Sequence, residues 1–166
     1  MPTIASLQRL PATTLSALLL DSSSNPSSIA IIDVRDDDYI GGHIRGALNF
    51  PSQTLDATLP TLVRKLEDKE TVVFHCALSQ QRGPTAALRY LREKERLAKL
   101  DQRQQQEQQE QQEGDEEEEK KKKKPVVDQK VYVLDKGFVG WQEVYGEDER
   151  LTEGYRKELW KDGYWM

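Results

Sequence analysis

An apolar run, Val72-Val73-Phe74, stops at His75-Cys76, and Arg82-Gly83-Pro84 follows after the five residues Ala77 to Gln81. Consecutive apolar positions rich in β-branched and aromatic side chains suit a strand covered on both faces, as in a parallel sheet. Pro84 suits the first turn of a helix, where its missing N–H has no partner to lose. The stretch therefore predicts a strand, a loop and a helix, with a nucleophile at one end of the loop and a fixed cation at the other.

Such a turn makes an anion site. Backbone N–H groups ahead of a helix have no intrahelical partner, and the helix N-terminus adds partial positive charge. The planar fork of Arg82 holds two oxygens of one anion, and the same field favours the thiolate of Cys76. A lone cysteine is more often a small buried apolar residue, and an arginine more often a surface cation. Here the strand before, the spacing, and the helix start after all favour the site. Cys76 is the candidate nucleophile, and the amides of Ala77, Leu78, Ser79, Gln80 and Gln81, with Arg82, form the candidate substrate cradle. The Ser79 hydroxyl either orients the thiolate or shapes the loop. His75 is expected to support the loop by hydrogen bonding.

The rest of the chain repeats the strand–helix alternation. Ile4–Leu10 is a weak strand candidate. Pro11–Thr14 opens a helix with Leu15, Leu18 and Leu19 on one face. Ile29-Ala30-Ile31-Ile32-Asp33-Val34-Arg35 is a second buried strand, and Asp36–Ile40 a short helical turn. A glycine-punctuated connection, 41–51, leads to a helix over Thr54–Leu66, then the strand Glu70–His75 and a helix from Gly83 to about Leu100. Val131–Leu134 reads as the final strand, with a short helix after it. The alternation predicts a doubly wound, mainly parallel α/β sheet with helices on both faces. Sites in such sheets lie at the carboxyl ends of strands, where Asp33, Arg35 and His75-Cys76 all fall. Asp33 is a candidate acid, or the group that fixes Arg35 and the loop. The second of these is favoured, because ion-pair networks engage carboxylates without doing chemistry.

Residues 1–100 and 125–166 make one domain, interrupted at 101–124 by a Gln/Glu/Lys-rich insertion. No large apolar residue occurs between Leu100 and Val126, so this stretch joins no core; flexible low-complexity chain is favoured over a solvated helical extension. The tail after Leu151 carries Tyr155, Leu159, Trp160, Tyr164 and Trp165. It is expected to pack on the domain, with a surface for a protein partner as the alternative.

Composition removes other classes. A net charge of −5 supplies no basic field for nucleic acid, and no apolar run reaches bilayer-spanning length. A single cysteine forms no internal disulfide, and the first residues lack the basic and apolar regions of a secretory signal. The expected location is cytoplasmic, with the nucleus as the alternative suggested by Lys120–Lys124. His43 has no second ligand at metal-binding spacing, so neither a metal site nor a bound cofactor is expected.

Four pieces in order, Ile32-Asp33-Val34-Arg35, Gly41-Gly42-His43-Ile44-Arg45-Gly46-Ala47, His75-Cys76 through Arg82-Gly83-Pro84, and Val131 to Trp141, resemble the rhodanese-fold family. The nearest branch looks like the cell-division-cycle (M-phase inducer) phosphatases and the related arsenate reductases. The resemblance implies a single rhodanese-like domain and a cysteine-dependent enzyme acting on a phosphorylated protein or a small oxyanion. A five-residue loop goes with phosphate or arsenate in that family, and a shorter one with sulfur transfer. Cell-cycle members carry an acid just after the cysteine and another just before the arginine; Ala77 and Gln81 stand there in this chain, so the resemblance supplies no general acid on the loop. No resolving cysteine exists either, so arsenate reduction calls for an external thiol such as glutathione. The alternatives are a sulfurtransferase forming a Cys76 persulfide and a non-catalytic phospho-binding module. Substrate, general acid and oligomeric state stay open at this level.

Overall fold

Ile31 and Val73 face one side of a sheet and Ile32 and Phe74 the other, and both sides are buried. This is why their strands read as unbroken apolar runs rather than alternating ones. The structure, a computed structural model, describes residues 3, 6–21, 28–111 and 129–160. In chain order the elements are β1 (Gln8–Leu10), α1 (Ala12–Leu20), β2 (Ile29–Asp33), β3 (His43–Ile44), β4 (Leu48–Asn49), a 3₁₀ turn (Ser52–Thr54), α2 (Leu55–Lys65), β5 (Thr71–His75), α3 (Arg82–Gln111), β6 (Lys130–Leu134), α4 (Gly137–Tyr145), β7 (Thr152–Glu153) and α5 (Lys157–Trp160). The main sheet has the order β1-β6-β5-β2-β4, and all of its pairings are parallel.

One face packs on α2 and α3 through Leu55, Leu59, Leu62, Ala86, Ala87 and Tyr90. The other packs on α1, α4 and α5 through Leu15, Phe138, Trp141 and Trp160. Full burial of a side chain such as Phe138 contributes roughly 1.5–3 kcal/mol. Pro60 interrupts the hydrogen-bond ladder of α2, at a typical cost of about 3 kcal/mol that the buried leucines around it offset. From β2 the chain moves outward to β4. It then crosses back over α2 to β5 on the opposite side of β2, and onward to β6. Winding reverses between β2 and β5, so a crevice opens at their carboxyl ends, where Asp33 pairs in register with His75.

Several local readings change. Val131–Leu134 lies inside β6 but is not the last strand, because β7 follows and pairs antiparallel with β3. The connection 41–51 contributes β3 and the sheet edge β4, since two-residue strands carry no periodicity to read. Residues 36–40 form a hydrogen-bonded turn rather than a helical one, with the Asp36 N–H donating to Asp38 Oδ1 at 3.0 Å. The helix α3 continues past Leu100 to Gln111, so the first part of the 101–124 stretch is helical. Its Gln, Glu and Arg residues are good helix formers that need no apolar face to propagate a helix already anchored. The remainder of that stretch, with the Glu and Lys blocks, lies outside the described residues. In the tail, Trp160 is buried and donates from Nε1 to Gly41 O at 2.9 Å, while Tyr155 Oη donates to Gln142 Oε1 at 2.7 Å. Tyr164 and Trp165 lie outside the described residues.

The chain re-enters the core at Gln129. Its Oε1 accepts from Tyr90 Oη at 2.6 Å and Lys94 Nζ at 3.2 Å, and its Nε2 donates to the carbonyls of Leu66 and Lys69. Leu100 lies six residues beyond Lys94 on α3, roughly 9 Å at the helical rise. Residues 125–128 span roughly 13 Å when extended. A chain lacking residues 101–124 is therefore expected to close the gap and fold, with a melting temperature within about 4 °C of the parent, a shift worth under about 1 kcal/mol. Loss of a cooperative thermal transition would show that the stretch belongs to the fold.

Candidate active site

His75 ends β5, and Cys76 is the first residue beyond it, with only 3% of its surface exposed. The geometry of the following loop comes from what its carbonyls do. Cys76 O accepts from the Phe138 N–H at 3.0 Å, and Ala77 O accepts from the Val139 N–H at 2.9 Å. Ser79 O accepts from Arg9 Nη1 at 3.0 Å, and Gln81 O from the Thr85 N–H at 2.9 Å. A planar trans peptide sets each carbonyl opposite the N–H of the next residue. The amides of Ala77, Leu78, Gln80 and Arg82 must then point away from those partners, toward the inside of the loop. Ser79 holds a φ of 56°, the left-handed conformation by which successive amides converge into an anion nest. Its N–H donates to Cys76 Sγ at 3.2 Å. Contact with the sulfur is thus made by the amide of Ser79; its Oγ is buried and meets no hydrogen-bond partner among the described residues.

α4 is what turns the first two of those carbonyls outward. Gly137, at a φ of +57°, brings the first amides of α4 onto the loop, and a Cβ there would lie 2.4 Å from Ala77 O and 2.6 Å from Cys76 O. Only glycine fits so close an approach. Leu78 and Gln80 also border a groove of about 360 Å³ lined by Arg9, Lys136 and Glu143.

Beneath the loop lies a buried polar network. Arg35 donates from Nε to both oxygens of Asp33, at 3.0 and 2.9 Å, from Nη2 to Asp33 Oδ2 at 2.7 Å, and from Nη2 to Gly42 O at 2.8 Å. Its guanidinium lies 4.4 Å from the Phe138 ring centre and 5.0 Å from that of Tyr39. Asp33, Arg35 and His75 are all fully buried. His75 Nδ1 donates to Cys76 O at 3.0 Å, and Nε2 stands 3.8 Å from Asp33 Oδ2. Burial pushes the His75 pKa below its ordinary value, against the pull of Asp33. His75 meets the loop directly at Cys76 O, while Arg35 and Asp33 pair with each other and hold the 40–42 backbone and the Phe138 ring. Asp33 is badly placed as an acid, since both oxygens are engaged by Arg35 and the carboxylate has no surface; the fixing role is the one its geometry fits.

Arg82 opens α3, and its partners were not foreseen from sequence. Nη1 donates to Asp38 Oδ1 at 2.8 Å and to Asp36 Oδ2 at 3.2 Å, and Nη2 donates to Asp38 Oδ2 at 2.5 Å. Hydrogen bonds donated to Asp38 raise the Arg82 pKa above its ordinary value, with burial opposing. Asp36 also accepts from Ser52 Oγ and from the Gln53 N–H. Burial tends to raise the Asp36 pKa, but the Ser52, Gln53 and Arg82 hydrogen bonds prevail and hold it below the usual carboxylate range. The one available signal was three aspartates directly after a strand that abuts the cysteine strand. Arg9 and Gly137 gave no local signal at all. Among the described residues no three His, Cys, Asp or Glu side chains group as metal ligands, and no helix is long and apolar enough to cross a membrane.

Two measurements test this network. Asp33→Asn leaves Arg35 buried with its charge uncompensated and is expected to cost about 3–5 kcal/mol in denaturant unfolding. Full stability with lost turnover would instead return Asp33 to an acid role. Burial lowers the His75 pKa in the folded chain, so as pH falls through its ordinary 6.5 the unfolded chain takes up this proton first. The unfolded state then binds the extra proton, so stability falls as pH drops from 7 to 5, by up to about 1.4 kcal/mol per unit from this group. His75→Asn is expected to flatten that part of the slope.

Comparison with known proteins agrees with this geometry. A family model described as a rhodanese-like domain matches residues 15–144. The chain is 33% identical over 141 residues to the Cdc25-like phosphatase YCH1 of Saccharomyces cerevisiae, a match covering 79% of this chain and 77% of that protein. It is 35% identical over 115 residues to arsenate reductase 2.2 of Oryza sativa subsp. japonica, covering 69% of each. Among solved structures, a yeast protein tyrosine phosphatase of the rhodanese family superposes with a TM-score of 0.68 at 28% identity, over 96% of this chain and 99% of that one. The chain belongs to the rhodanese-like domain family, in the company of its Cdc25-like phosphatases and arsenate reductases.

Proposed function

We propose that the chain is a cysteine-dependent phosphatase in which Cys76 attacks the phosphorus of a phosphomonoester held by the Cys76–Arg82 loop. The observation that carries this reading is the outward anchoring of the loop carbonyls, which leaves the Ala77, Leu78, Gln80 and Arg82 amides to the interior. Sγ forms a bond to phosphorus as the ester P–O bond breaks, and the departing oxygen takes up a proton from water. Water then attacks the phosphocysteine, the P–S bond breaks, and phosphate leaves with Cys76 again a thiolate. Charge on the equatorial oxygens meets fixed amide dipoles and Arg82 without reorganisation. The Ser79 amide stabilises the sulfur as attacking thiolate and as leaving group.

Arsenate is the second reading, supported by the arsenate reductase relative. Cys76 displaces a hydroxyl of arsenate to form a Cys76–S–As(V) adduct. An external thiol, for which we propose glutathione, then attacks the Cys76 sulfur. The S–As electron pair passes to arsenic, As(III) departs, and a mixed disulfide remains for a second thiol to reduce. With one cysteine in the chain, both electrons must come from outside. A lone thiolate nucleophile is disabled by oxidation, which supports a reducing compartment such as the cytoplasm. The substrate is proposed as a phosphorylated protein or a small oxyanion.

The test sets purified chain against para-nitrophenyl phosphate, arsenate with glutathione, and thiosulfate with cyanide, each beside Cys76→Ser. Turnover of the aryl phosphate is expected to fall at least 1,000-fold in the serine variant, consistent with loss of a covalent nucleophile. Turnover unaffected by the substitution would end the nucleophile assignment. Activity confined to the thiosulfate arm would make the chain a sulfurtransferase.

A further inference from the structure

Arg82 has five N–H groups in a fixed plane. Among the described residues three are engaged: one on Nη1 and one on Nη2 meet the two oxygens of Asp38 side by side, and the second on Nη1 meets Asp36. The two that remain, on Nε and on the near side of Nη2, lie along one edge of the guanidinium with the spacing of a carboxylate or phosphate. The carboxylates that take the other edge are themselves held. Asp38 Oδ1 accepts from the Asp36 N–H at 3.0 Å, and Asp36 is tied to Ser52 Oγ at 2.5 Å and the Gln53 N–H at 3.0 Å. A chain of contacts therefore runs from the turn before α2, through the 36–38 turn, to the cation at the end of the catalytic loop.

We propose that Asp38, seconded by Asp36, is a positioning residue that fixes Arg82 so that its Nε–Nη2 edge is the one presented to the substrate oxyanion. Side-on bidentate binding of two equatorial oxygens follows, while the end-on edge stays with Asp38 throughout the reaction. The role differs from that of an acid: Asp38 acts through Arg82 and transfers no proton. Ala77 and Gln81 offer the arginine no carboxylate, so its orientation is set from the β2–β3 connection instead. Arg82 is only partly shielded, with 31% of its side chain exposed; a long side chain with that freedom loses much of its bidentate advantage unless held.

The inference rests on the oxyanion reading of the loop, and the experiment separates the two. Inorganic phosphate binding and the kcat and KM for para-nitrophenyl phosphate are measured for the parent, Arg82→Lys, Asp38→Ala, Asp38→Asn and Asp38→Glu, with thermal melting of each. Asp38→Ala is expected to weaken phosphate binding at least tenfold and to lower kcat as well as raise KM, with Asp38→Glu recovering most of both. Asp38→Asn is close in shape and carries the same comparison if the alanine variant does not fold. If Arg82→Lys leaves phosphate binding intact, the oxyanion reading falls and this inference with it. If Arg82→Lys weakens binding while Asp38→Ala and Asp38→Asn leave it unchanged or strengthen it, Asp38 competes with substrate or is idle. In that case the positioning role alone is overturned.

Discussion

The two hydrogen bonds from the start of α4 to Cys76 O and Ala77 O are the contacts on which the site depends. A peptide plane offers its donor and acceptor on opposite sides, so to fix one is to aim the other. Without those bonds the Cys76–Arg82 loop is a short polar connection with no preferred inner face. With them it lines its interior with amides. Gly137 is glycine because the approach leaves no room for a Cβ, and Phe138, next in sequence, closes over Arg35 and packs against Trp160. The loop, the buried Arg35–Asp33 pair and the C-terminal aromatic layer thus meet at one helix end.

Charge in this region is layered. Arg35 is fully buried and saturated by Asp33, Gly42 O and two aromatic rings, so it stabilises the crevice floor without offering itself to an anion. Arg82 sits higher, partly exposed, with one edge of its guanidinium committed to carboxylates. Two arginines, one just beyond β2 and one at the start of α3, are thereby given different work by their depth. A buried cation with a complete set of partners is a structural element; a partly exposed one at a loop of inward amides suits an anion.

Much of this was legible before any coordinates. The unbroken apolar runs at Ile29–Val34 and Val72–Phe74 require covering on both faces, and that alone points to a parallel sheet with sites at its carboxyl ends. The Cys76 to Arg82 spacing and Pro84 placed the loop and the helix start. Illegible were the features made by long-range approach. The Asp36–Asp38 turn looks like any acidic turn until β2 and β5 are set side by side, and Gly137 looks like any glycine until α4 meets the loop. The amide of Ser79, rather than its hydroxyl, reaches the sulfur because of a left-handed backbone that serine seldom adopts. The length of α3 is illegible for a different reason: once a helix is anchored at one end, a polar tract of good helix formers continues it without a partner.

The order of these parts along the chain has a consequence for synthesis. Cys76 and Arg82 leave the ribosome early, together with β2, α2 and β5, and α3 with the polar stretch after it must then be translated before Gly137 and Trp160 exist. Until α4 arrives, the carbonyls of Cys76 and Ala77 have no amide to turn toward, so a nascent chain carries its nucleophile without the cradle that makes it useful. The polar stretch lengthens that interval. The cradle of this protein is thereby tied to the docking of β6 and α4 on the strands translated before them.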